Sequence, residues 1–230
     1  MNINDFIVQV ALPEHRVFAE EICTEMAESA KARGTGIAKR SPAYVAGKME
    51  EGKAVIAFHK DGRWAGFCYI ETWSHGQFVA NSGLIVSPEF RKAGLAHAIK
   101  GAIFNLSRTL YPKAKIFGLT TGLAVMKINS DLGYEPVTYS ELTQDEDFWK
   151  GCQSCVNFEI LKMKERKNCM CTAMLYDPAE KKHEAAKVFA EELQKKPGLY
   201  ERFMRIKQRL VLKPKSGLKS ILLLFTLLFK

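Results

Sequence analysis

NSGLIVSPEFRKAGLAHA, residues 81–98, carries the strongest structural signal in this 230-residue chain. Its apolar run at 84–86 predicts a buried strand that ends at Ser87-Pro88. A short basic loop containing Gly94 follows, and apolar residues then recur at helical spacing as far as Leu110. A strand that leads through such a loop into a helix gathers free backbone N–H groups at the positive end of the helix dipole. The stretch therefore predicts a phosphate-binding site.

The segments on either side predict an α/β domain. Apolar runs predict strands at residues 6–12, 54–59, 64–72, 78–86, 115–121 and 133–137. Helical spacing predicts helices at residues 15–33 and 43–51, a long helix after Gly94 and a short one that ends at Leu132. The strand–helix–strand segment 78–121 requires a parallel pair of strands with a right-handed crossover. The expected fold class is α/β (α+β), with a mixed central sheet flanked by helices.

The basic loop resembles the acyl-CoA pyrophosphate loop of the GNAT acyltransferase superfamily, in which Arg/Gln-x-x-Gly-x-Gly/Ala follows a strand that ends in Val-x-Pro. Arg91, Gly94 and Ala96 occupy the three fixed positions, and Val86 and Pro88 match the end of the strand. The order of elements over residues 5–140 also agrees with the GNAT fold. The resemblance implies that acyl-CoA is bound by Leu84, Ile85, Val86, Arg91, Lys92, Ala93, Gly94, Leu95 and Ala96. His97 either contacts a cofactor phosphate or caps the first turn of the helix.

A second resemblance is to the acyltransferase domain of bacterial N-acetylglutamate synthases. Leu119-Thr120-Thr121 and, eleven residues later, Gly133-Tyr134-Glu135-Pro136-Val137 are similar to a strand end and the following strand of those enzymes. Arg40-Ser41 resembles the Arg-Arg-Ser that precedes their second helix. The resemblance implies glutamate or a similar amino acid as acceptor, in arginine biosynthesis, with Arg40, Thr120 and Thr121 as substrate-binding residues. A guanidinium binds a carboxylate in a bidentate fork, although an ordinary surface ion pair is the alternative for Arg40.

Two positions depart from the pattern of these families. Gly122 stands where the synthases carry a basic residue, and Asn129 stands where the superfamily often has a Tyr that protonates the leaving thiolate. Asn129 remains a candidate catalytic residue, although an amide donates a hydrogen bond and not a proton. Glu71, at the end of the third predicted strand, is the candidate general base. A solvated carboxylate at a strand end is the alternative for Glu71.

Composition argues against several other classes of protein. The net charge of +9 is spread along the chain, which suits a polyanionic cofactor. The sequence lacks the alternation of basic and aromatic residues that is typical of proteins that bind single-stranded nucleic acids. The first residues lack the features of a signal peptide, and six cysteines without an export signal favour the reducing cytoplasm. The apolar segment 218–229 is shorter than the about 20 residues of a membrane-spanning helix, so no transmembrane span is expected.

Four cysteines near the end of the predicted domain raise the question of a zinc site. They form two pairs, Cys152 with Cys155 and Cys169 with Cys171. Residues 158–163 and 169–175 predict a hairpin, which would hold the two pairs roughly 13 Å apart at ~3.3 Å per residue. One ion cannot reach across that distance, so no metal is expected. The expected roles are buried structural thiols or a thiol that lines the substrate pocket. A bend at Gly151 would bring the pairs together and leaves zinc as the alternative.

The domain boundary is predicted after residue 176. Residues 1–176 form the expected GNAT domain with its cysteine-containing hairpin. Residues 177–230 form a C-terminal helical extension with an apolar tail, and the helices at 177–195 and 199–212 are expected to pack on the domain or on a second subunit of a homodimer.

These features predict an acyl-CoA-dependent N-acyltransferase that moves an acetyl or succinyl group to the amine of a small acceptor. Two alternatives from other classes stay open. One is a non-catalytic GNAT-like module that binds acyl-CoA as a regulatory ligand. The other is a zinc-stabilised interaction protein built on the cysteines and the helical tail.

Overall fold

The computed structural model describes residues 2–34 and 39–182, together with residues 184, 188, 191 and 195. Contacts divide the chain after Tyr176. The unit that ends there contains the sheet and every site residue discussed below. The helices expected at 177–195 and 199–212 and the apolar segment 218–229 lie wholly or largely outside the described residues. Across the described part of the chain, no helix is long and apolar enough to cross a membrane.

A mixed sheet of seven strands forms the centre of this unit, as the sequence predicts. Its strands are Phe6–Val10 (β1), Ala54–His59 (β2), Trp64–Trp73 (β3), Phe78–Val86 (β4), Lys115–Thr120 (β5), Glu135–Val137 (β6) and Thr172–Tyr176 (β7). Their order across the sheet is β1-β2-β3-β4-β5-β7-β6. All neighbours are antiparallel except β4 and β5, which are parallel and joined by the predicted crossover helix.

Helices cover both faces of the sheet. They are Ala19–Ala32 (α1), Pro42–Glu50 (α2), Leu95–Leu110 (α3), Leu123–Asp131 (α4), Glu146–Lys150 (α5) and Phe158–Met163 (α6). The first predicted helix begins later than expected, because residues 13–18 form a 3-10 helix that opens with Pro13. The predicted cap of α2 is confirmed, since Ser41 accepts a hydrogen bond from the N–H of Tyr44 at 3.2 Å.

Alternation along the strands directs apolar side chains to both faces of the sheet, where they form three core clusters. On one face, Ile99 and Ile103 of α3 are fully buried against strand residues such as Val55. On the other face, Ile22 of α1 and Val45 of α2 are fully buried in the second cluster. Burying each of these side chains contributes about 1.5–3 kcal/mol. The sheet therefore lies between α3 on one face and α1 and α2 on the other.

The predicted cysteine-containing hairpin is wrong. Its first half, Phe158–Met163, is the helix α6, and only Thr172–Tyr176 is a strand. Phe158 and Leu161 lie three positions apart and pack into the same core cluster, whereas Met163 is 78% exposed, which is a helical pattern. The strand β7 then inserts between β5 and β6 instead of pairing with its predicted partner.

Candidate functional site

The strands β4 and β5 separate soon after they meet. They pair only over three positions, from Phe78 with Lys115 to Ala80 with Phe117. Beyond that point β4 continues to Val86 and β5 to Thr120, and β5 pairs with β7 on its other side. We call the gap between residues 81–86 of β4 and 118–120 of β5 the cleft. Backbone groups of β4 that face this gap have no partner on β5, and those left free can bind an extended ligand as a strand would.

A bulge shapes the β4 side of the cleft. The register between β3 and β4 shifts between Phe67 and Tyr69, and the opposing Gly83 has φ +65°. A Cβ atom on Gly83 would lie 2.4 Å from Cε1 of Tyr69 and 2.8 Å from the methyl of Met26. Only glycine fits this position, because both its backbone angle and its surroundings exclude a side chain.

The loop predicted to bind phosphate lies at the end of β4. Lys92 and Gly94 adopt left-handed backbone conformations, with φ +67° and +80°, and α3 begins at Leu95. Within the described residues, the backbone N–H groups of Lys92, Ala93 and Gly94 have no recorded acceptor. No atom lies within 4 Å of a Cβ placed on Gly94, so the space in front of the loop is open. The loop and the helix N-terminus therefore have the geometry of an anion site.

The side chain of Arg91 is engaged within the protein. Its Nε donates to the carbonyl oxygen of Val86 at 3.1 Å, and its Nη2 donates to Glu25 Oε1 at 2.9 Å and to Ser29 Oγ at 2.6 Å. Glu25 and Ser29 belong to α1, so Arg91 ties the loop to that helix. In this arrangement the loop offers backbone N–H groups, rather than this guanidinium, to an anion.

The other predicted loop residues surround the same opening. Lys92 is exposed, whereas Leu95 is buried beneath the helix start. The ring of His97 is half exposed, and its Nε2 lies 3.9 Å from Oδ2 of Asp131. The predicted contact between His97 and a cofactor phosphate stays a prediction.

A polar cluster forms on the α2 side of β3. Nη2 of Arg40 donates to Glu71 Oε1 at 2.9 Å, and the hydroxyl of Tyr44 donates to the same oxygen at 2.7 Å. Nε of Arg40 donates to the hydroxyl oxygen of Tyr69 at 3.2 Å. Among the described residues, no donor forms a hydrogen bond with Glu71 Oε2. The sequence nominated Arg40 and Glu71 separately, and the structure brings them into direct contact.

The cluster is half-buried, and burial sets its protonation. The Arg40 and Glu71 side chains are 19% and 6% exposed. Burial opposes the charge of Arg40, but the neighbouring Tyr69 and Glu71 raise its pKa above the ordinary value. Burial and the hydrogen bond to Glu71 raise the pKa of Tyr44, and burial raises the pKa of Tyr69. Arg40 is therefore charged and both tyrosines are neutral at physiological pH.

The cluster adjoins the narrow end of the cleft. Glu71 is the direct partner of Ala80, the last residue of β4 that pairs with β5, and Tyr69 is the partner of Ser82 in the cleft wall. A ligand that enters between β4 and β5 from the α3 side would thus reach the strand next to Glu71.

The remaining predicted site residues flank β5. Thr120 Oγ1 accepts a hydrogen bond from the N–H of Gly122 at 3.0 Å, and Thr121 is exposed. Asn129 is 1% exposed, with Nδ2 at 3.7 Å from the sulfur of Met174. Its Oδ1 is buried without a hydrogen-bond partner. Such an unpaired acceptor is costly, which marks the position as unusual.

The four cysteines are free thiols, and each is only partly buried. Burial, and next the thiol of Cys155, raise the pKa of Cys152 to about 11, and Cys169 contributes to this rise. Burial and the neighbouring Cys169 raise the pKa of Cys171 to about 12. The separation expected between the two pairs was argued from the hairpin, and the helix α6 replaces the first half of that hairpin. The His, Cys, Asp and Glu side chains in the described ranges still form no group of three or more suited to a metal ion.

Several residues of the site escaped the sequence analysis. Spacing in the sequence was the available signal for two of them. Tyr69 lies on the same strand face as Glu71, and Tyr44 follows Arg40 by four positions. Lys39, whose N–H donates to Ser154 Oγ at 3.2 Å, shows that the segment after β6 reaches the polar cluster. No local pattern signals that contact, because 115 positions separate the two residues.

No protein-family model matches the chain, and no curated protein matches its sequence. Solved structures do match. N-acetylglutamate synthase from Neisseria gonorrhoeae, complexed with coenzyme A and N-acetyl-glutamate, has 16% identity and a TM-score of 0.54. That match covers 75% of this chain and 35% of the synthase, so this chain spans about a third of that relative.

Two shorter relatives match over most of their length. Rv2747 from Mycobacterium tuberculosis, in complex with CoA, has 17% identity and a TM-score of 0.53, with 74% of this chain and 98% of that chain covered. A phosphinothricin acetyltransferase from Sinorhizobium meliloti, in complex with AcCoA, has 15% identity and a TM-score of 0.51, with 75% and 88% covered. Together with the strand order, the cleft and the loop, these matches show that this chain has the fold of the GNAT acetyltransferases.

Proposed function

We propose that the protein is an acyl-CoA-dependent N-acyltransferase that moves an acetyl or succinyl group to the amine of a small amino acid. One observation carries the proposal. The cleft between β4 and β5 opens at one end on a loop with free N–H groups and approaches Glu71 at the other. The matching structures hold CoA or AcCoA, which supports acyl-CoA as the ligand of that cleft.

The donor would lie along the cleft. Its pyrophosphate would bind the N–H groups of residues 92–94 and the N-terminus of α3. Its extended arm would bind the backbone of Leu84, Ile85 and Val86, and a free N–H there would stabilise the oxyanion of the thioester. Holding both substrates in this geometry can lower the barrier by about 7–11 kcal/mol.

Arg40 and Glu71 would have different roles towards the acceptor, one in binding its carboxylate and the other in accepting its proton. The carboxylate of an amino acid would displace Glu71 from the guanidinium of Arg40, which can bind it in a bidentate fork. The released Glu71 would accept a proton from the acceptor's ammonium group, directly or through a water. The amine nitrogen then bonds to the thioester carbon, and the carbon–sulfur bond breaks to release a thiolate. The second proton that the nitrogen loses passes to this thiolate, directly or through a water, so CoA leaves as the thiol.

Glutamate is the acceptor that we propose first. Arg40 supplies a fixed positive charge for one carboxylate, and exposed Thr121 and the hydroxyl of Thr120 stand at the end of β5 as further polar contacts. A synthase solved with N-acetyl-glutamate has the same fold. With this acceptor the reaction would belong to arginine biosynthesis in the cytoplasm, and a homodimer would be the assembly to test.

The experiment is an endpoint assay of thiol release. Acetyl-CoA and succinyl-CoA are offered separately against a panel of amino acids and polyamines, with CoA-induced thermal shift measured in parallel. Thiol release with glutamate or a close relative is expected. A thermal shift without turnover on any acceptor would contradict the enzymatic function, and the absence of any CoA shift would contradict the cofactor site.

One observation favours a second candidate, a non-catalytic module that binds acyl-CoA as a regulatory ligand. Asn129 occupies the expected position of the proton donor, and its amide cannot protonate a leaving thiolate. A thiol with a pKa near ~8.5 leaves tolerably well without assistance, so the first proposal is retained. The same assay separates the two, because the module would show the CoA shift and no thiol release.

A further inference from the structure

Lys100 of α3 is a buried amine that the proposed reaction does not use. It is 2% exposed, its Nζ lies 3.4 Å from the backbone oxygen of Asn81, and it lies 5.6 Å from the ring centroid of Tyr134. The titratable groups recorded near it are Cys68 on β3 and Tyr134, which precedes β6. A buried lysine with a single hydrogen-bond acceptor calls for an explanation.

The carbonyl that Lys100 contacts faces β5. The N–H of Lys115, on β5, donates to the carbonyl oxygen of Gln77 at 2.9 Å, so Gln77 faces that strand. Alternate residues of a strand direct their backbone groups to the same neighbour, and Asn81 is four positions further on. The hydrogen bonding of Ile70, the residue opposite Asn81, supports this direction. The N–H of Ile70 donates to the oxygen of Lys53, away from β4, so Ile70 and Asn81 direct their backbone groups away from each other.

Continued pairing would give this carbonyl a partner on β5. In a parallel ladder the hydrogen bonds repeat every two residues on both strands. Two such steps beyond the bond from the N–H of Lys115 to the carbonyl of Gln77, the N–H of Leu119 would donate to the carbonyl of Asn81. The pairing nevertheless ends at Ala80 with Phe117, and the amine of Lys100 contacts the Asn81 carbonyl instead. The side chain of Asn81 is held as well, since its Nδ2 donates to Ser107 Oγ at 2.7 Å.

We propose that Lys100 is the positioning residue that ends the pairing of β4 and β5 and holds the narrow end of the cleft open for the acyl-CoA arm. This inference rests on the proposed function only for the identity of the ligand. Lys100 acts through Asn81 and touches no substrate. The hydrogen bond from its amine takes the place that the N–H of Leu119 would otherwise fill.

The pH dependence of stability checks the burial of the Lys100 amine separately from its role in strand pairing. Burial lowers the pKa of this amine, so the neutral form is favoured in the folded protein. The unfolded chain then binds more protons at every pH between the lowered pKa and about 10.4. The contribution of Lys100 therefore makes stability rise with pH over that interval, and a methionine at this position removes the rise.

The test compares Lys100→Met with Lys100→Gln and Ser107→Ala. Methionine removes the donor, glutamine keeps a neutral N–H donor, and the Ser107 variant disturbs the same Asn81 without touching its carbonyl. We measure CoA affinity, hydrogen exchange at the Leu119 amide without ligand, and thermal stability against pH. In K100M the CoA Kd is expected to rise at least about tenfold and exchange at Leu119 to slow by a similar factor. K100Q and S107A are expected to stay close to the wild type.

The outcomes separate this proposal from the proposed function. Unchanged exchange at Leu119 in K100M would overturn the role of Lys100, even if the wild type binds CoA. Wild-type protein that fails to bind CoA would overturn the proposed function, while the exchange of Leu119 would still decide whether Lys100 ends the strand pairing. Slowed exchange in K100M with wild-type CoA affinity would overturn the claim that the opening serves the cofactor.

Discussion

The guanidinium of Arg40 lies 2.9 Å from Glu71 Oε1, although 31 positions separate the two residues in the sequence. Each group neutralises the charge of the other. An acceptor that brings a carboxylate for Arg40 and an ammonium for Glu71 would replace this ion pair with two new ones. The ion pair therefore compensates two half-buried charges, and a substrate of the proposed class would replace it without leaving either charge unpaired.

Replacing Glu71 tests the base directly. Glu71→Gln keeps the shape and a hydrogen-bonding group but cannot accept a proton, so kcat is expected to fall by about 10²–10⁴-fold. Glu146→Gln is the matched control, because Glu146 also pairs with an arginine, Arg166, on the exposed surface. Steady-state kinetics of both variants decide the matter. Equal rates for E71Q and wild type would remove Glu71 from the mechanism.

Arg40 is expected to affect acceptor binding more than the chemical step. Arg40→Lys keeps the charge but loses the planar fork, so the KM for the amino acid should rise by about tenfold or more while the KM for acyl-CoA stays constant. Kinetics with each substrate varied in turn provide the measurement. A change confined to the acyl-CoA KM would contradict the assignment of Arg40 to the acceptor.

Gly94 tests the phosphate-binding loop. Gly94→Trp fills the open space in front of the loop and is expected to abolish the CoA-induced thermal shift. Gly62→Trp is a close control, because Gly62 also has positive φ, +90°, and a Cβ placed on it would meet no atom within 4 Å. Both variants carry a similar backbone strain. A normal CoA shift in G94W would refute the loop as the pyrophosphate site.

Arg91 is expected to serve stability more than cofactor affinity. Arg91→Ala removes the hydrogen bonds to Val86, Glu25 and Ser29, which should lower the free energy of unfolding by about 1–3 kcal/mol. CoA affinity should fall by less than about tenfold. Chemical denaturation and calorimetric titration measure the two effects. Full loss of CoA binding at unchanged stability would mean that the guanidinium turns to hold the phosphate.

Cys152 gives stability a dependence on alkaline pH. Burial raises the pKa of its thiol from 9.0 to about 11, so the folded protein keeps this proton at a pH where the unfolded chain has lost it. The stabilisation is complete below pH 9.0 and is lost as the pH rises to about 11. Cys152→Ser is expected to flatten the fall of melting temperature over this interval. Parallel curves for variant and wild type would contradict the shift.

Local sequence was sufficient to predict the framework of the site. The apolar run before Ser87-Pro88, the glycine at position 94 and the helical spacing beyond it are adjacent in the chain, and each depends on short-range backbone preferences. The strands β2, β3 and β4 were predicted within one or two residues for the same reason.

Contacts across the sheet were decided only by the tertiary structure. Residues 158–163 form a helix and not the predicted strand. This stretch has four apolar and two charged residues and is short enough to fit either structure, so only packing against the core selects the helix α6. Arg91 bonds to α1 and Lys100 contacts Asn81 because the fold brings distant faces together. Short-range backbone preferences therefore suffice to predict the strands β2, β3 and β4 and the loop that leads into α3. Which charged groups neutralise each other was decided by long-range packing.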